Sequence, residues 1–430
     1  MTLTFTQLIP VFLVFILYFA GLPIVYALFG STFFYFLVLD PSTQCWLLLQ
    51  KVMNSTQSFS MLAIPFFIMS GSVMNFGGIS DKMMDFCECV TGHMRGGLAQ
   101  VNVLLSMLMG GCSGSANADC AMQSKMLVPE MEKRGYSKAF SAAITAASSA
   151  ATPVIPPGVN LIVYCLIAQA SLGRTFAAGY VPGILMSLSM MITVAIIAKK
   201  RNYPVSPRVE WKERLRALWR AVPALLSPVI LLSGILLGIF SATEASVVCC
   251  LYSLFLGIFI YKELSPKGLY NVFLETLKSS GMVMALVTFS MLLATILNFN
   301  QIPQAVAAWA VATIGSKVGI ILACMVLIII SGMVIDVTPA MLILIPIMMP
   351  VIRQYGINPI AFGVASTLLF SQGLLTPPVG SILYVLADYT KMPVMRIAKN
   401  MVPYIITFMV LAFCFMMFPQ ICTFLPGLIQ

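Results

Sequence analysis

Two polar stretches of small residues interrupt a chain otherwise built from apolar runs, and they decide what it can become. The first is Gly110-Gly111-Cys112-Ser113-Gly114-Ser115-Ala116-Asn117-Ala118-Asp119. Lipid cannot solvate such a stretch, and irregular backbone at membrane depth survives only where it is buried in protein or lines a cavity. It therefore reads as the tip of a re-entrant hairpin around a polar site. The second, Ser331-Gly332-Met333-Val334-Ile335-Asp336-Val337-Thr338-Pro339, follows 221 residues later. Landmarks recur at that offset: Gly111 with Gly332, Pro129 with Pro350, Gly135 with Gly356, and Pro156-Pro157 with Pro377-Pro378. Interrupted apolar hairpins in corresponding halves point to a transporter's binding site.

Composition agrees. The 430 residues are 60% hydrophobic and 9% charged, where a soluble domain is nearer a quarter charged. The chain reads as an all-α polytopic membrane protein. Its apolar N-terminus has no small-residue cleavage site and is expected to be the first span. The net charge of +10 suits cytoplasmic loops under the positive-inside rule better than a nucleic-acid partner. The 11 Cys are scattered, several inside apolar runs, and Cys87-x-Cys89 has no second pair near it, so small buried hydrophobes are expected rather than a metal cluster. His93 has no assigned role. No Walker-type glycine loop occurs, so no ATP is expected to be used, and no organic cofactor is implied.

Runs near ~20 apolar residues match a hydrocarbon core at helical rise. Spans are expected at roughly 5–20, 23–38 and 58–75, with a polar connector carrying Asp40, Lys51 and Asn54 between the second and third. An amphipathic piece over 77–95 is expected in the interface. The first hairpin covers 97–131, with arms too short to cross. Segments 139–152 and 159–172, separated by Thr152-Pro153-Val154-Ile155-Pro156-Pro157-Gly158, read as one helix broken by prolines. A span over 176–198 ends at a basic block, 199–220, which holds eight of the 24 Lys and Arg: Lys199, Lys200, Arg201, Arg208, Lys212, Arg214, Arg216 and Arg220. Further spans are expected at 222–240, 245–261 and 281–298, then an interfacial piece at 301–317. The second hairpin covers 318–352, the second broken helix 360–375 and 381–390, and a last span 402–424.

The expected organisation is therefore scaffold helices over 1–57, a first repeat over 58–198, a basic linker with scaffold helices over 199–280, and a second repeat over 281–430. Lys82, Arg95, Lys125, Lys133, Arg134 and Lys138 put the ends of the first hairpin in the cytoplasm, whereas only Lys317 and Arg353 mark the ends of the second. Counting spans between these anchors makes the repeats inverted, with the hairpins entering from opposite faces and both termini outside.

A charge at the bilayer centre costs several kcal/mol even on permissive scales, so Asp119 and Asp336 need a reason. One reading is a pair of cation sites built with Ser113, Ser115, Asn117 and Thr338 and with carbonyls freed by the breaks. The other is helix capping, which Asp and Thr do well and which Pro339 accompanies at a first helical turn. The proline breaks also expose amide donors at Asn160 and at Gly380-Ser381, where half-helix N-termini attract anionic groups. Glu244, in a short loop, reads as structural.

At these residues the chain closely resembles the large membrane subunit of the tripartite ATP-independent periplasmic (TRAP) transporters. The matching stretches are Ile64-Pro65-Phe66-Phe67, Arg95-Gly96-Gly97-Leu98, Ser113-Gly114-Ser115-Ala116-x-Ala118-Asp119, Pro129-Glu130-Met131, Arg134-Gly135-Tyr136, Ile155-Pro156-Pro157, Thr243-Glu244-Ala245, Gly332-Met333-x-x-Asp336-x-Thr338 and Gly373-Leu374-Leu375-Thr376-Pro377-Pro378-Val379-Gly380. The resemblance implies an elevator-type, Na⁺-coupled uptake subunit for an organic acid anion in the bacterial inner membrane. It also implies a small membrane subunit of about four helices and a periplasmic substrate-binding protein as partners. The cation set so read is Ser113, Ser115, Asn117, Asp119, Gly332, Asp336, Thr338, Thr376 and Gly380. The substrate set is Ser115, Thr152, Pro156, Pro157, Gly158, Asn160, Pro377 and Pro378. Two departures bear on the pocket: Cys120-Ala121-Met122-Gln123 after the first tip, and Pro153 ahead of the proline pair. An intramembrane aspartyl protease using Asp119 and Asp336 is the rival reading, but it has no use for duplicated hairpins and breaks. A passive channel would need a ring of like charges that the sequence does not supply.

Overall fold

The computed structural model describes residues 5–39, 45–113, 115–205, 210–377 and 379–428. Helices α1 (Phe5–Phe19) and α2 (Ile24–Phe34) come first, followed by α3 (Cys45–Thr56). The stretch expected to be a plain polar connector is thus helical over 45–56; Asp40 lies outside the described residues. A 3₁₀ turn (Phe59–Leu62) leads into α4 (Ala63–Phe76), and α5 (Ile79–Thr91) leaves it at 69°. The corner is Gly77-Gly78, where Gly78 has φ +69°, a backbone most side chains avoid. The first hairpin is α6 (Gly97–Ser113) and α7 (Ala116–Lys133). The first broken helix is α8 (Lys138–Ala151), a 3₁₀ turn (Thr152–Val154) and α9 (Val159–Ala168), bent by 43°. Helix α10 (Leu172–Lys200) follows.

Helix α11 (Trp211–Leu236) corrects a second expectation. The basic block does not form one interruption: Lys199 and Lys200 end α10, while Lys212 to Arg220 form the opening turns of α11. Arg208 lies outside the described residues. The next helix, α12 (Ala242–Phe255), starts at a capping box in which the Ser241 amide donates to Glu244 Oε2 at 2.7 Å and the Glu244 amide donates to Ser241 Oγ at 3.3 Å. Glu244 is therefore structural, as expected. Helix α13 (Pro266–Phe299) begins well before the expected span because Ser265 caps it and Pro266 suits its first turn. Then come α14 (Ile302–Ile314), the second hairpin α15 (Lys317–Val334) and α16 (Val337–Gln354), the second broken helix α17 (Pro359–Gly373) and α18 (Ser381–Thr390), and α19 (Val394–Met417). The last span thus starts earlier than expected and stops at Met417.

The 221-residue offset governs the helix bounds as well as the landmarks. Shifted by it, α6 to α9 fall on α15 to α18 to within about one residue at every end. The correspondence also reaches further out. Helices α3 and α4 together map onto the single helix α13, α5 onto α14, and α10 onto α19.

Burial sorts these helices into layers. From Ala139 onward every residue of α8 is buried, as is every residue of α17 from Ala361 onward. These two helices form the centre, and the hairpins pack around them. Six helices among the described residues are long and apolar enough to cross a membrane, or up to eight if each bent pair is one span. Helix α16 passes that test, yet 61% of its apolar window is buried inside the protein, against 33% for α11 and α19. It is an internal hairpin arm, whereas α10, α11 and α19 turn large apolar side chains such as Ile192, Val229 and Ile406 outward, as a lipid-facing shell requires.

Candidate functional site

The hairpin tips place the two aspartates differently. Ser115 is the N-cap of α7 and its hydroxyl accepts from the Ala118 amide at 3.5 Å. Asp336 is the N-cap of α16 and accepts from the Val337 amide at 2.9 Å. At the repeat offset Asp336 is the counterpart of Ser115, and the counterpart of Asp119 is Ala340. Both caps are exposed. Asp119 is 1% exposed, one turn below the tip.

Neutral donors from three elements surround Asp119. Ser106 of α6 and Thr152 at the proline break donate to Oδ2 at 3.1 and 2.9 Å, and Gln123 of α7 donates to Oδ1 at 2.8 Å. Gln123 also donates to Ser106 Oγ at 2.7 Å. The cluster fastens both arms of the first hairpin to the first break. In the second repeat the equivalent positions are Leu327, Ala340, Leu344 and Gly373, so none of it is repeated. There the hairpin meets the broken helix backbone to backbone: a Cβ added at Gly373 would lie 2.3 Å from the Gly332 carbonyl carbon. Gly332 and Gly373 thus do with close approach what Asp119 and Thr152 do with hydrogen bonds.

The tips share a cavity of about 260 Å³ with the first break at Val159-Asn160 and with Leu374 at the start of the second. Of the expected residues it is lined by Ser115 and Asn117 of the first tip, Asp336 and Thr338 of the second, and Asn160 of α9. The first turns of α7, α9 and α16 all reach its wall, through Ala116, Ala118, Val159 and Val337. Helix N-termini carry partial positive charge and free amides, which suit an anion; Asp336 and the polar oxygens suit a cation. The opposite wall comes from α4 and α13, with Ser72, Asn75, Glu275 and Ser279 as its polar members. Nothing in the sequence marks these four, since 58–75 reads as an ordinary span and 262–280 falls between the expected spans 245–261 and 281–298.

The remaining expected residues sit away from the cavity wall. The Thr152 hydroxyl is committed to Asp119. Thr376 donates to the Gln372 carbonyl at 3.0 Å. Gly332 packs on Gly373. Gly380, at φ +31°, precedes α18. Pro156, Pro157 and Gly158 are buried in the first break and Pro377 lies in the second. Gly114, Pro378 and the Ser113 side chain lie outside the described residues.

Among the hydrogen bonds that cross between the repeats, two lie at the tips. Thr338 of the second tip donates to Asn160 Oδ1 at 3.0 Å, and Ser381 at the head of α18 donates to Asn117 Oδ1 of the first tip at 3.1 Å. The Val379 amide also donates to the Met333 carbonyl at 3.1 Å, holding the second break against the second tip. The site is one polar unit made from both halves.

Comparison with known proteins places this geometry. Residues 11–421 match the family model described as "Tripartite ATP-independent periplasmic transporter, DctM component". The chain is 34% identical to the sialic acid TRAP transporter permease protein SiaT of Haemophilus influenzae, over 96% of this chain and 67% of that protein. It is 34% identical to the C4-dicarboxylate TRAP transporter large permease protein DctM of Pseudomonas aeruginosa, over 88% of each. Among solved structures, the YdaH transporter of Alcanivorax borkumensis has a similar fold, with a TM-score of 0.61 at 14% identity over 85% of each chain.

Proposed function

Because the chain belongs to the DctM-component family of tripartite ATP-independent periplasmic transporters, multi-pass inner-membrane permeases for organic acids, we propose that it takes up an organic acid anion together with Na⁺ by an elevator movement. The observation that carries this reading is the single cavity lined by both hairpin tips and the Asn160 break, with Asp336 in its wall. A hard cation prefers oxygen ligands, and Asp336, Ser115, Asn117 and Thr338 offer them beside three helix N-termini suited to a carboxylate or sulfonate. Cation and anion then stabilise each other at short range, which is the physical basis of coupling.

Because residues of both repeats close one site, splitting the halves apart would break the Thr338–Asn160 and Ser381–Asn117 hydrogen bonds. Carrying the unit as a body past α4 and α13 leaves them intact. The family assignment supports a small membrane subunit and a periplasmic binding protein as its partners. The small subunit enlarges the scaffold, and the binding protein delivers the substrate. Two carboxylates at separate depths, one of them sealed by neutral donors, do not make the shared-proton pair a protease needs.

The test is uptake into liposomes holding the chain with its small subunit, with the binding protein outside. Saturable uptake that needs an inward Na⁺ gradient supports the reading; uptake indifferent to Na⁺ removes the coupling. A cleavable thiol crosslinker between Ser115→Cys and Ser72→Cys should stop uptake, and cleaving it should restore transport. Full uptake with the crosslink in place would refute the elevator.

A further inference from the structure

We propose that Glu275 expels the anion on the cytoplasmic side, as a scaffold carboxylate that faces the site only when the site has been lowered to that side. The inference rests on the transport reading above. Its first support is the depth of the cavity. The lining residues of α13 are Glu275, Ser279, Met282 and Val283, which run from the Pro266 side of this 34-residue helix to its centre and leave the half that ends at Phe299 untouched beyond Val283. Lys262, Lys267 and Lys278 mark that end as cytoplasmic. On α4 the lining runs to Asn75, next to the last residue of the helix. The charged helix α5 starts just beyond, and Lys82 on it pairs with Glu263 ahead of α13 at 3.2 Å. Tyr18, in the last turn of α1, donates to the Val334 carbonyl beside the second tip at 3.3 Å. The tips therefore stand level with the last turns of α1 and α4 and with the start of the uncharged stretch of α13 that begins at Ser279, beyond which Lys278, Lys267 and Lys262 follow toward the cytoplasm.

The second support is the charge. Among the described residues the cavity wall holds two carboxylates, Asp336 and Glu275, and no Lys, Arg or His. Asp336 sits on the hairpin and travels with the site. Glu275 belongs to α13 and stays. Glu275 is exposed and forms no ion pair among the described residues, so its field acts on whatever fills the cavity. From Ser279 to Phe299 α13 has no charged residue. A site raised along α13 therefore leaves the second carboxylate behind. Nor does the fold require the charge, because the residue at the repeat offset in α3 is the neutral Asn54.

The anion thus meets the travelling Asp336 throughout the cycle and the stationary Glu275 only at the cytoplasmic end. At an effective dielectric of ~40, a unit charge ~7 Å from the anion would weaken its binding about five- to tenfold. It favours Na⁺ by a similar factor, so the anion departs first.

The test reads the field directly and does not need the substrate. Ser115→Cys lies in the cavity, and its reaction rates with an anionic sulfonatoethyl, a cationic trimethylammonioethyl and a neutral methyl methanethiosulfonate report the local potential. The full transporter is used in sided vesicles, and the background rate without Ser115→Cys is subtracted. Glu275→Gln should raise the anionic-to-cationic rate ratio about fivefold or more from the cytoplasmic face and leave it unchanged from the periplasmic face. Glu275→Asp should keep the wild-type ratio, and an unchanged neutral rate shows that the cavity is intact. Asp336→Asn should raise the ratio from both faces. An unchanged ratio in Glu275→Gln, or an equal rise from both faces, would overturn the proposal. Absence of Na⁺-driven uptake in the wild type would instead sink the transport reading, which this ratio does not measure.

Discussion

Thr338 donates to Asn160 at 3.0 Å, and the residues at the repeat-related positions, Asn117 and Ser381, are hydrogen-bonded to each other at 3.1 Å. The chemical identities differ, so the pairing is kept by geometry rather than by sequence. Each hairpin tip is held by the broken helix of the other repeat. Because the two bonds are related by the same offset as the helices, each repeat helps to close the other's half of the site.

Both bonds are part-buried. Thr338→Val leaves the buried Asn160 side-chain carbonyl without its donor, a loss of about 1–2 kcal/mol. Ser381→Ala should cost less, about 0.5–1.5 kcal/mol, because Asn117 is only half-buried and water can take the donor's place. The two sites share no partner, so the double variant should lose the sum. Thermal unfolding of the solubilised protein reads this directly, and a double variant no less stable than either single would show that the bonds do not act independently.

The two aspartates should fail in different ways. Asp119→Ala strips the acceptor from three donors that are themselves buried, and should cost about 3 kcal/mol or more. Low yield and a lowered melting temperature are expected before transport can be judged. Asp336→Ala removes a cap worth about 1 kcal/mol, so it should purify normally while Na⁺-driven uptake is lost or greatly weakened. Wild-type Na⁺ dependence in Asp336→Ala would leave capping as its only task. A wild-type melting temperature in Asp119→Ala would mean that the cluster holds nothing together.

Gly373→Ala should separate the second hairpin from its broken helix. The new methyl group meets the Gly332 backbone, which has no rotamer to give way, and overpacking of this kind costs about 1–3 kcal/mol. Proteolysis near the second tip should quicken, while Gly281→Ala, with open space at its Cβ, should not change.

The orientation of the repeats is tested by labelling with an impermeant thiol reagent. Cysteines replacing Lys212 or Arg216 should react only from the cytoplasm, and those replacing Lys317 or Arg353 only from the periplasm. Labelling at 317 or 353 from the cytoplasm alone would abolish the inversion.

Much of the fold was legible because glycine and proline are local signals. The breaks at Pro156-Pro157 and at Thr376-Pro377, and both tips, could be placed from the residues that cannot continue a helix. The offset then gave the partner of each element. What was not legible lay in residues whose meaning comes from a neighbour distant in sequence. Nothing local marks Asn75 or Glu275 as cavity residues, since the wall exists only once α4 and α13 pack beside the tips. Gln123 was visible only as a departure at the first tip, and its partnership with Asp119 and Ser106 needs the hairpin folded. The two aspartates looked alike as intramembrane charges, but the offset pairs Asp336 with Ser115, and reading it strictly would have separated them.

Helix α13 is a rod of 34 residues, about 51 Å at 1.5 Å per residue, while its counterpart is two rods, α3 and α4, joined over 57–62. A rod passes a force applied at one end to the other, whereas a joint absorbs it as a change of angle. The two repeats therefore share a blueprint but not a stiffness. When the bilayer thins or thickens around the protein, the strain should collect at the Phe59–Leu62 turn, leaving the Glu275 wall of the cavity at a fixed height. One side of the molecule serves as the ruler and the other as the hinge.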